Sequence, residues 1–203
     1  VNKYLPDYIG FVFAKSKRQV SPVKAMMLIE KTDERVKKAG VFVNEKADEV
    51  LRITKDCRLD AVQLHGDESP SYVSRLKEYF DAYSSTEVWK AIRIKNINSI
   101  TAMKEYNADC FVLDAYSENN YGGEGKTFEW NLAKKAKKYG RIMLAGGLNP
   151  QNVLMAIDTV CPFAIDASSG LETNDVKDGT KIRDFIYLAR CGGNKEELME
   201  EIK

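Results

Sequence analysis

Residues 141–150 read RIMLAGGLNP, an apolar run that passes through two adjacent glycines into a segment predicted to be helical. The next apolar run, Pro162–Asp166 (PFAID), leads in the same way into Ala167-Ser168-Ser169-Gly170. Small-residue loops after the last two strands are typical of the phosphate site of a (β/α)8 barrel. A doubly wound sheet that binds a nucleotide instead carries its glycines after the first strand. The position of these loops therefore favours the barrel.

Five further apolar runs precede this region, and each is followed by a polar turn and a segment with helical periodicity. The runs are Tyr8–Phe13, Ala39–Val43, Ala61–His65, Val88–Ile94 and Cys110–Asp114. The helices are predicted at 21–33, 46–57, 69–81, 96–107, 128–139, 149–159 and 178–190. Runs that are apolar throughout indicate strands buried on both faces, as in a parallel sheet wrapped by helices. Capping side chains precede a proline at Ser21-Pro22, Ser69-Pro70 and Asn149-Pro150, which predicts helix starts there.

The strand count leaves two architectures to compare, because seven strands suit an open doubly wound sheet whereas a closed barrel needs eight. The first run is followed by Ala14-Lys15-Ser16-Lys17-Arg18, which has no glycine. Val1–Leu5 resembles the end of a helix. We therefore predict an α/β protein, a single (β/α)8 TIM-barrel domain over residues 1–203 that shows strands two to eight. Strand one and most of helix one are expected to be absent from these residues.

Composition narrows the class of protein. The chain has 203 residues, 44% hydrophobic and 30% charged, which suits a folded core and argues against disorder. A formal charge of +1 argues against a nucleic-acid binder. Four cysteines without C-x-x-C spacing and a single histidine favour neither a disulfide framework nor a zinc site. No apolar run has the length of a membrane span and the start is no signal peptide, so we expect a cytoplasmic protein without membrane contact.

Asp114 is the candidate for acid–base chemistry, since it ends the apolar run Phe111-Val112-Leu113. A carboxyl at a barrel mouth is partly desolvated, which favours the protonated form that a general acid needs. The alternative is an aspartate that caps the following loop. That loop contains the glycine-rich segment Tyr121–Lys126, which is typical of a loop that covers a substrate and favours the catalytic role.

Gly146, Gly147, Ser168 and Ser169 are the candidate phosphate ligands. Their backbone N–H groups, aided by a helix N-terminus, suit an anion. Each loop alone is a weak signal because Gly-Gly turns are common for steric reasons, but the two on consecutive strands support each other.

Three further side chains are candidate substrate contacts. Arg18 offers a planar fork suited to a carboxylate, although a Lys-Ser-Lys-Arg cluster is often only a solvated loop. His65 fits a ligand contact and a hydrogen-bonded rim residue equally well. Asp166 could hold a substrate hydroxyl or cap its own loop.

The motifs together resemble those of phosphoribosylanthranilate isomerase, and they run in family order from Gly10 to about Phe185. Two strings are highly specific, Gly122-Gly123-x-Gly125-Lys126-Thr127-Phe128-x-Trp130 and Gly146-Gly147-Leu148-Asn149-Pro150-x-Asn152-Val153. The other matching pieces are 10–13, 15–18, 21–22, 40–44, 62–68, 113–114 and 166–172.

The resemblance implies an isomerase of tryptophan biosynthesis, an intramolecular oxidoreductase that works without metal or cofactor by an Amadori rearrangement. It implies that Asp114 is the general acid and that Arg18 contacts the anthranilate carboxylate. Asp166 would lie near the sugar hydroxyls, and the Gly146, Gly147, Ser168 and Ser169 backbone would bind the phosphate. The expected partner is the small-molecule substrate alone, and the expected assembly is a monomer or homodimer.

The family's general base is a cysteine in a Lys-x-Cys-Gly motif on strand one, and these residues contain no such motif. None of the four cysteines takes its place, so we expect the natural gene product to carry the missing segment. One alternative is an impaired protein that binds the phosphosugar but lacks the base. Another is a related phosphosugar isomerase, such as the histidine-pathway enzyme, against which the strings after Asp114 count.

Overall fold

The computed structural model describes residues 1–115 and 130–192. Seven strands form one sheet in chain order, β1 to β7. They are β1 (Tyr8–Val12), β2 (Lys37–Phe42), β3 (Ala61–Leu64), β4 (Glu87–Ile94), β5 (Cys110–Ala115), β6 (Ile142–Leu144) and β7 (Ala164–Ile165). The helices are α1 (Pro22–Ile29), α2 (Ala47–Cys57), α3 (Pro70–Tyr83), α4 (Ile97–Thr101), α5 (Trp130–Ala136), α6 (Val153–Val160) and α7 (Gly179–Cys191). The alternation of strand and helix is that of a (β/α) barrel, as predicted.

The chain groups into two compact units, residues 1–91 with 104–111 and residues 92–103 with 112 onward. In the first unit β1, β2, β3 and β4 pair in parallel, with Gly10 opposite Ala39 and Ala39 opposite Ala61. Tyr8 on β1 and Trp89 on β4 meet edge to face with ring centroids 4.9 Å apart, although two strands separate them in the sheet. This contact shows that the sheet curls around its inner face within this unit.

The other face of the first unit packs against the helices. Phe42, Val62, Leu64 and Val88 project from β2, β3 and β4 into one buried cluster. The helices contribute Ala25, Val50, Ile53, Val73, Leu76 and Phe80 to it. Because side chains alternate along a strand, Gln63 and His65 lie on the face of β3 opposite to Val62 and Leu64.

The second unit is built around β6, whose three residues are all buried. Met143 and Leu144 pair in parallel with Ala164 and Ile165 of β7, and the Ala145 N–H donates to the Leu113 carbonyl at 2.9 Å. Helix α6 covers this part of the sheet with Val153, Ala156 and Val160, which are buried.

The predicted helix starts are confirmed at two of three positions. The Ser21 and Ser69 hydroxyls accept from the Lys24 and Tyr72 N–H groups, with Pro22 and Pro70 in the first turn. The helix predicted at 149–159 begins only at Val153, because Asn149 starts a turn in which its carboxamide accepts from the Gln151 N–H. The segment predicted as a helix at 96–107 is the short α4 followed by a 3-10 turn, Ala102–Glu105.

A small hairpin, β8 (Glu172–Thr173) and β9 (Val176–Lys177), follows β7 and was not predicted. Asn174 and Asp175 both have positive φ, as a tight two-residue hairpin turn requires. The glycine-rich segment at 121–126 lies outside the described residues, and the single domain stays a prediction. Within the described residues, no helix combines the length and the apolar character needed to span a bilayer.

Candidate active site

The structure places each candidate residue at or just beyond the carboxyl end of a strand. Arg18 lies in the loop after β1, His65 directly follows β3, and Asp114 is the penultimate residue of β5. The glycine pair follows β6, while Asp166, Ser168 and Ser169 follow β7. Arg18 and His65 belong to the first compact unit and the other candidates to the second, so each group is described within its own unit.

The loop after β1 is a tight turn rather than a loose cationic arm. The Ser16 hydroxyl accepts from the Arg18 N–H at 3.2 Å, and the Ser16 carbonyl accepts from the Gln19 N–H at 3.1 Å. The Gln19 carboxamide donates to the Phe13 carbonyl at 3.0 Å. Arg18 is half-buried in this turn whereas Lys15 and Lys17 are exposed. The turn thus sets Arg18 apart from its basic neighbours, as a specific contact would require.

His65 is tied to its own strand through Gln63. The Gln63 amide nitrogen lies 2.8 Å from His65 Nδ1, and Gln63 itself is buried. This contact holds the half-buried imidazole at the end of β3.

A buried ion pair, Glu68–Lys90, lies beneath the His65 loop and was not predicted. The Lys90 Nζ is 2.9 Å from Glu68 Oε2, and the two side chains are only 3% and 2% exposed. Lys90 Nζ also donates to the Gly66 carbonyl at 2.8 Å and the Leu64 carbonyl at 3.2 Å. A signal was present in the sequence, because a lysine inside the apolar run Val88–Ile92 must find a partner if the strand is buried.

Asn44 extends this network to the end of β2. Its N–H donates to Glu68 Oε1 at 2.9 Å, and its side-chain oxygen accepts from the Asp67 N–H at 2.7 Å. Burial raises the pKa of the Glu68 carboxyl, but the Asn44 N–H and the Lys90 ammonium lower it more, so its pKa lies below the ordinary value. A Cβ on Gly66 would meet the Asn44 side chain at 2.4 Å, so this position has no room for a larger residue.

In the second unit, three adjacent strands bring the acidic candidates and the small-residue loops to one edge. The Ala145 N–H donates to the Leu113 carbonyl beside Asp114, and the Asp166 N–H donates to the Leu144 carbonyl at 2.8 Å. Asp114 is half-buried and Asp166 is exposed. The candidate acid and the Asp166 carboxyl therefore flank the start of the glycine loop.

Gly146 and Gly147 both adopt positive φ, 77° and 69°, which side chains disfavour. The turn is closed by Asn152, whose amide donates to the Gly147 carbonyl at 3.0 Å and whose oxygen accepts from the Asn149 N–H at 2.9 Å. Helix α6 begins after this turn, so the two glycines precede its first turn instead of forming part of it. The N-terminus of α6 should therefore contribute less to anion binding at the two glycines than the sequence indicated.

The two small-residue loops touch each other. A Cβ on Gly170 would lie 2.0 Å from the Leu148 carbonyl oxygen, so the Ser168–Gly170 segment packs directly on the glycine loop. Lys177 on β9 donates to the Ser168 carbonyl at 2.8 Å and pairs with Glu172 at 2.9 Å. The structure thus brings the loop that contains Gly146 and Gly147 into contact with the loop that contains Ser168 and Ser169.

The cysteines lie away from this edge. Cys57, Cys110 and Cys161 lie at the amino ends of β3, β5 and β7, and Cys191 ends α7. All four are free thiols, and only Cys161 is exposed. Among residues 1–115 and 130–192, no cluster of three or more His, Cys, Asp or Glu side chains could hold a metal ion.

Comparison with known proteins gives a consistent result. The model of the N-(5'-phosphoribosyl)anthranilate (PRA) isomerase family matches residues 2–187. The N-(5'-phosphoribosyl)anthranilate isomerase of Acetivibrio thermocellus is 49% identical over 193 residues, which are 94% of this chain and 88% of that protein. The solved Thermotoga maritima phosphoribosyl anthranilate isomerase is 38% identical with a TM-score of 0.78, over 91% of this chain and 88% of that one.

A second solved structure shows such an isomerase in complex with reduced 1-(o-carboxyphenylamino)-1-deoxyribulose 5-phosphate. It is 34% identical to this chain with a TM-score of 0.75, and the match covers 91% of this chain and 87% of that one.

Proposed function

The chain belongs to the N-(5'-phosphoribosyl)anthranilate isomerase family, and from this premise we propose which residues bind the substrate and which of them move a proton. The family's enzyme is an isomerase of tryptophan biosynthesis. It converts N-(5'-phosphoribosyl)anthranilate into 1-(2-carboxyphenylamino)-1-deoxyribulose 5-phosphate. One observation carries the assignment of roles: Asp114, the glycine loop and Asp166 follow three adjacent strands, β5, β6 and β7.

The rearrangement needs an acid and then a base. An acid protonates the furanose ring oxygen while the bond from C1 to that oxygen breaks, which leaves an iminium between C1 and the anthranilate nitrogen. A base then removes the proton from C2, and the electron pair forms an enolamine that neutralises the nitrogen. The enolamine gives the ketone when C1 gains a proton and the C2 hydroxyl loses one. Each step conserves electrons, so it needs no oxidant or reductant.

We assign the acid step to Asp114. Its carboxyl is half-buried at the end of a strand whose preceding residues, Phe111–Leu113, are buried. Its position beside the glycine loop supports a place next to the sugar of a substrate whose phosphate occupies that loop.

We assign the phosphate to the corner made by Gly146, Gly147, Ser168 and Ser169. Backbone N–H groups in turns of this kind bind anions without a lysine or arginine. Asp166 follows the neighbouring strand and suits a sugar hydroxyl as acceptor. Arg18 suits the anthranilate carboxylate, because its guanidinium is a planar donor, and we assign His65 as a further substrate contact.

The four cysteines support no assignment of the base, since three lie at the amino ends of strands and Cys191 ends the helix α7. That observation favours a second candidate, a protein that binds the phosphosugar but turns it over slowly or not at all. Growth of a tryptophan auxotroph carrying the natural gene separates the two. Growth supports the competent isomerase, and a failure to grow supports the binding protein.

The acid assignment is tested by Asp114→Asn in the natural gene product. Turnover should fall by about 100- to 10,000-fold, the usual contribution of general acid catalysis. The affinity for reduced 1-(o-carboxyphenylamino)-1-deoxyribulose 5-phosphate, measured by calorimetry, should change little. Asp109→Asn is the matched control, because Asp109 directly precedes β5 and its carboxyl accepts from the Val88 N–H. Undiminished turnover in Asp114→Asn removes Asp114 from the acid role.

We further propose that the enzyme works in the cytoplasm as a monomer or homodimer. The four free cysteines support a reducing compartment, where thiols persist. Sedimentation velocity at micromolar concentration decides between the two assemblies.

A further inference from the structure

The β8–β9 hairpin follows the Ser168–Gly170 loop in the second unit and is anchored to α7. The Asp178 N–H donates to the Leu171 carbonyl at 2.9 Å, which closes the open end of the hairpin. The Asp178 carboxylate accepts from two N–H groups in the first turn of α7. From that turn, Lys181 Nζ donates to the Glu172 carbonyl at 2.6 Å. The hairpin is therefore fixed to α7 next to the proposed phosphate site.

One side chain of the hairpin, Lys177, reaches back to the Ser168–Gly170 loop. Its Nζ donates to the Ser168 carbonyl at 2.8 Å and lies 3.4 Å from the Ser168 hydroxyl oxygen. Its third acceptor is Oε1 of Glu172 at 2.9 Å, on the residue that pairs with Lys177 across the hairpin. An ammonium has three protons, so these three acceptors occupy it. Lys177 would therefore act on a ligand through Ser168 rather than by direct contact.

Glu172 fixes the position of the Lys177 ammonium. The Glu172 side chain is 9% exposed, whereas that of Lys177 is 48% exposed. A carboxylate that is nearly buried is stabilised by a paired cation, which keeps the ammonium beside the loop. The pair is neutral as a whole, so it adds little net positive charge to the proposed phosphate site. Its contribution there should come from geometry more than from charge.

The carbonyl that Lys177 holds belongs to the same peptide group as the Ser169 N–H. This Ser168 carbonyl accepts from Lys177 Nζ and, at 3.1 Å, from the Leu171 N–H, so two donors fix its direction. In a planar trans peptide, the carbonyl and the following N–H point in opposite directions. Holding the Ser168 carbonyl toward Lys177 therefore directs the Ser169 N–H to the opposite side of the peptide. Both serines are exposed, as contact with a ligand requires.

We propose that Lys177 is a positioning residue for phosphate binding, which orients the Ser168–Ser169 peptide so that the Ser169 N–H donates to a phosphate oxygen of the substrate. The inference rests on the proposed function, because it takes the substrate phosphate to bind at this loop. It gives the β8–β9 hairpin a role in binding. It also assigns to the phosphate site a lysine that does not touch the phosphate.

Affinity for inorganic phosphate, measured by equilibrium dialysis on the natural gene product, gives the first test. Lys177→Met should weaken binding about 10-fold or more, the usual effect of losing a hydrogen bond to a charged group. Glu172→Met/Lys177→Met also removes the carboxylate that Lys177 neutralised, and its affinity should stay equally weak. Recovery of the natural affinity in the double variant would show that Lys177 only cancels the Glu172 charge, which would overturn the positioning role.

The backbone amide resonance of Ser169 reports the orientation of this peptide directly. In the ¹⁵N-labelled natural protein, saturating phosphate should move the Ser169 amide proton downfield, because the N–H then donates to an anion. In Lys177→Met this shift should be much smaller at saturation, while the amide proton of Gly147 should still move, because its loop is unchanged. An equal Ser169 shift in the two proteins would overturn the proposal.

Lys137→Met is the matched control, because Lys137 is also an exposed lysine that donates to backbone carbonyls. Its partners are the Val160 and Cys161 carbonyls at 3.2 and 2.8 Å, just before β7 and so at the other end of that strand from Ser168. The control should lower the melting temperature about as much as Lys177→Met and leave the phosphate affinity unchanged. An equal loss of affinity in the control would overturn the proposal.

The same measurements separate this inference from the proposed function. If the natural protein binds neither inorganic phosphate nor reduced 1-(o-carboxyphenylamino)-1-deoxyribulose 5-phosphate, the proposed function fails. If it binds both and Lys177→Met binds them equally well, only the role of Lys177 fails.

Discussion

The loop after β3 and the loop after β6 are both held in a fixed conformation, but by different interactions. His65–Glu68 is held by buried charged side chains, whereas Gly146–Asn149 is held by positive φ angles and the Asn152 amide. The first loop presents the His65 side chain, and the backbone on either side of it is hydrogen-bonded to Lys90 and Glu68. The second has no side chain to present at its glycines and leaves backbone N–H groups to meet a ligand. A restrained backbone thus suits the side-chain contact that we propose for His65, and a glycine backbone suits the phosphate that we propose for the loop after β6.

The largest effect that separates the two loops should come from Lys90→Met. It leaves the Glu68 carboxylate buried without its cation, which costs about 3–5 kcal/mol of unfolding free energy. Urea denaturation followed by circular dichroism measures the loss. Glu68→Met/Lys90→Met is the control, since removal of both charges should recover most of it. A double variant as unstable as the single one would contradict a cost that comes from the unpaired charge.

The next effect should come from Gly170→Ala, which tests the contact between the two phosphate loops. The added Cβ meets the Leu148 carbonyl oxygen, so the backbone must move, at about 1–3 kcal/mol of stability. The affinity for inorganic phosphate should fall as well, because the two loops separate. Equilibrium dialysis measures the phosphate affinity, and urea denaturation measures the stability. An unchanged phosphate affinity in Gly170→Ala would show that the contact between the two loops is not needed for phosphate binding.

Gly147→Ala should cost less, because the space around this glycine is open and only its φ of 69° is unfavourable. The expected loss is about 1–2 kcal/mol, the cost of a left-handed conformation for an L-residue. Paired with Gly170→Ala, it separates a steric requirement for glycine from a conformational one. Equal losses at the two positions would contradict a difference between the steric and the conformational requirement for glycine.

The smallest effect concerns pH and touches only the first loop. The pKa of Glu68 is lowered in the folded protein, so its contribution to stability is complete above the unfolded value of about 4.3. That contribution is lost as pH falls through the lower folded pKa. Between pH 7 and pH 3.5 the natural protein should therefore lose more unfolding free energy, from urea midpoints, than Glu68→Gln/Lys90→Met does. A constant difference would show that the Glu68 charge contributes nothing.

Much of this fold was predictable because its signals are local. Continuous apolar runs predicted all seven strands of the sheet, and Ser21 and Ser69 predicted helix starts through contacts within three residues. The start of α6 was misplaced because Asn149-Pro150 has the composition of a cap, yet the Asn152 side chain closes a separate turn first. Composition alone does not distinguish these two uses of asparagine.

The unpredicted part of the candidate site depends on distant partners. Glu68 and Lys90 are 22 residues apart, and the sequence around either residue does not indicate that the other is its partner. Gly170 could be recognised as a small residue, but the carbonyl that excludes a Cβ belongs to Leu148 on the preceding loop. By contrast, the strand-end positions of Asp114 and Asp166 follow from the strands alone. Their chemical roles remain proposals.

The arrangement of the cysteines has a practical consequence. Cys161 is exposed, whereas Cys57, Cys110 and Cys191 are at most 9% exposed. A thiol-reactive fluorophore should therefore label the folded protein at Cys161, on the face opposite to the strand ends that carry the candidate site. Such a dye would follow unfolding or tumbling while leaving the proposed ligand contacts chemically untouched.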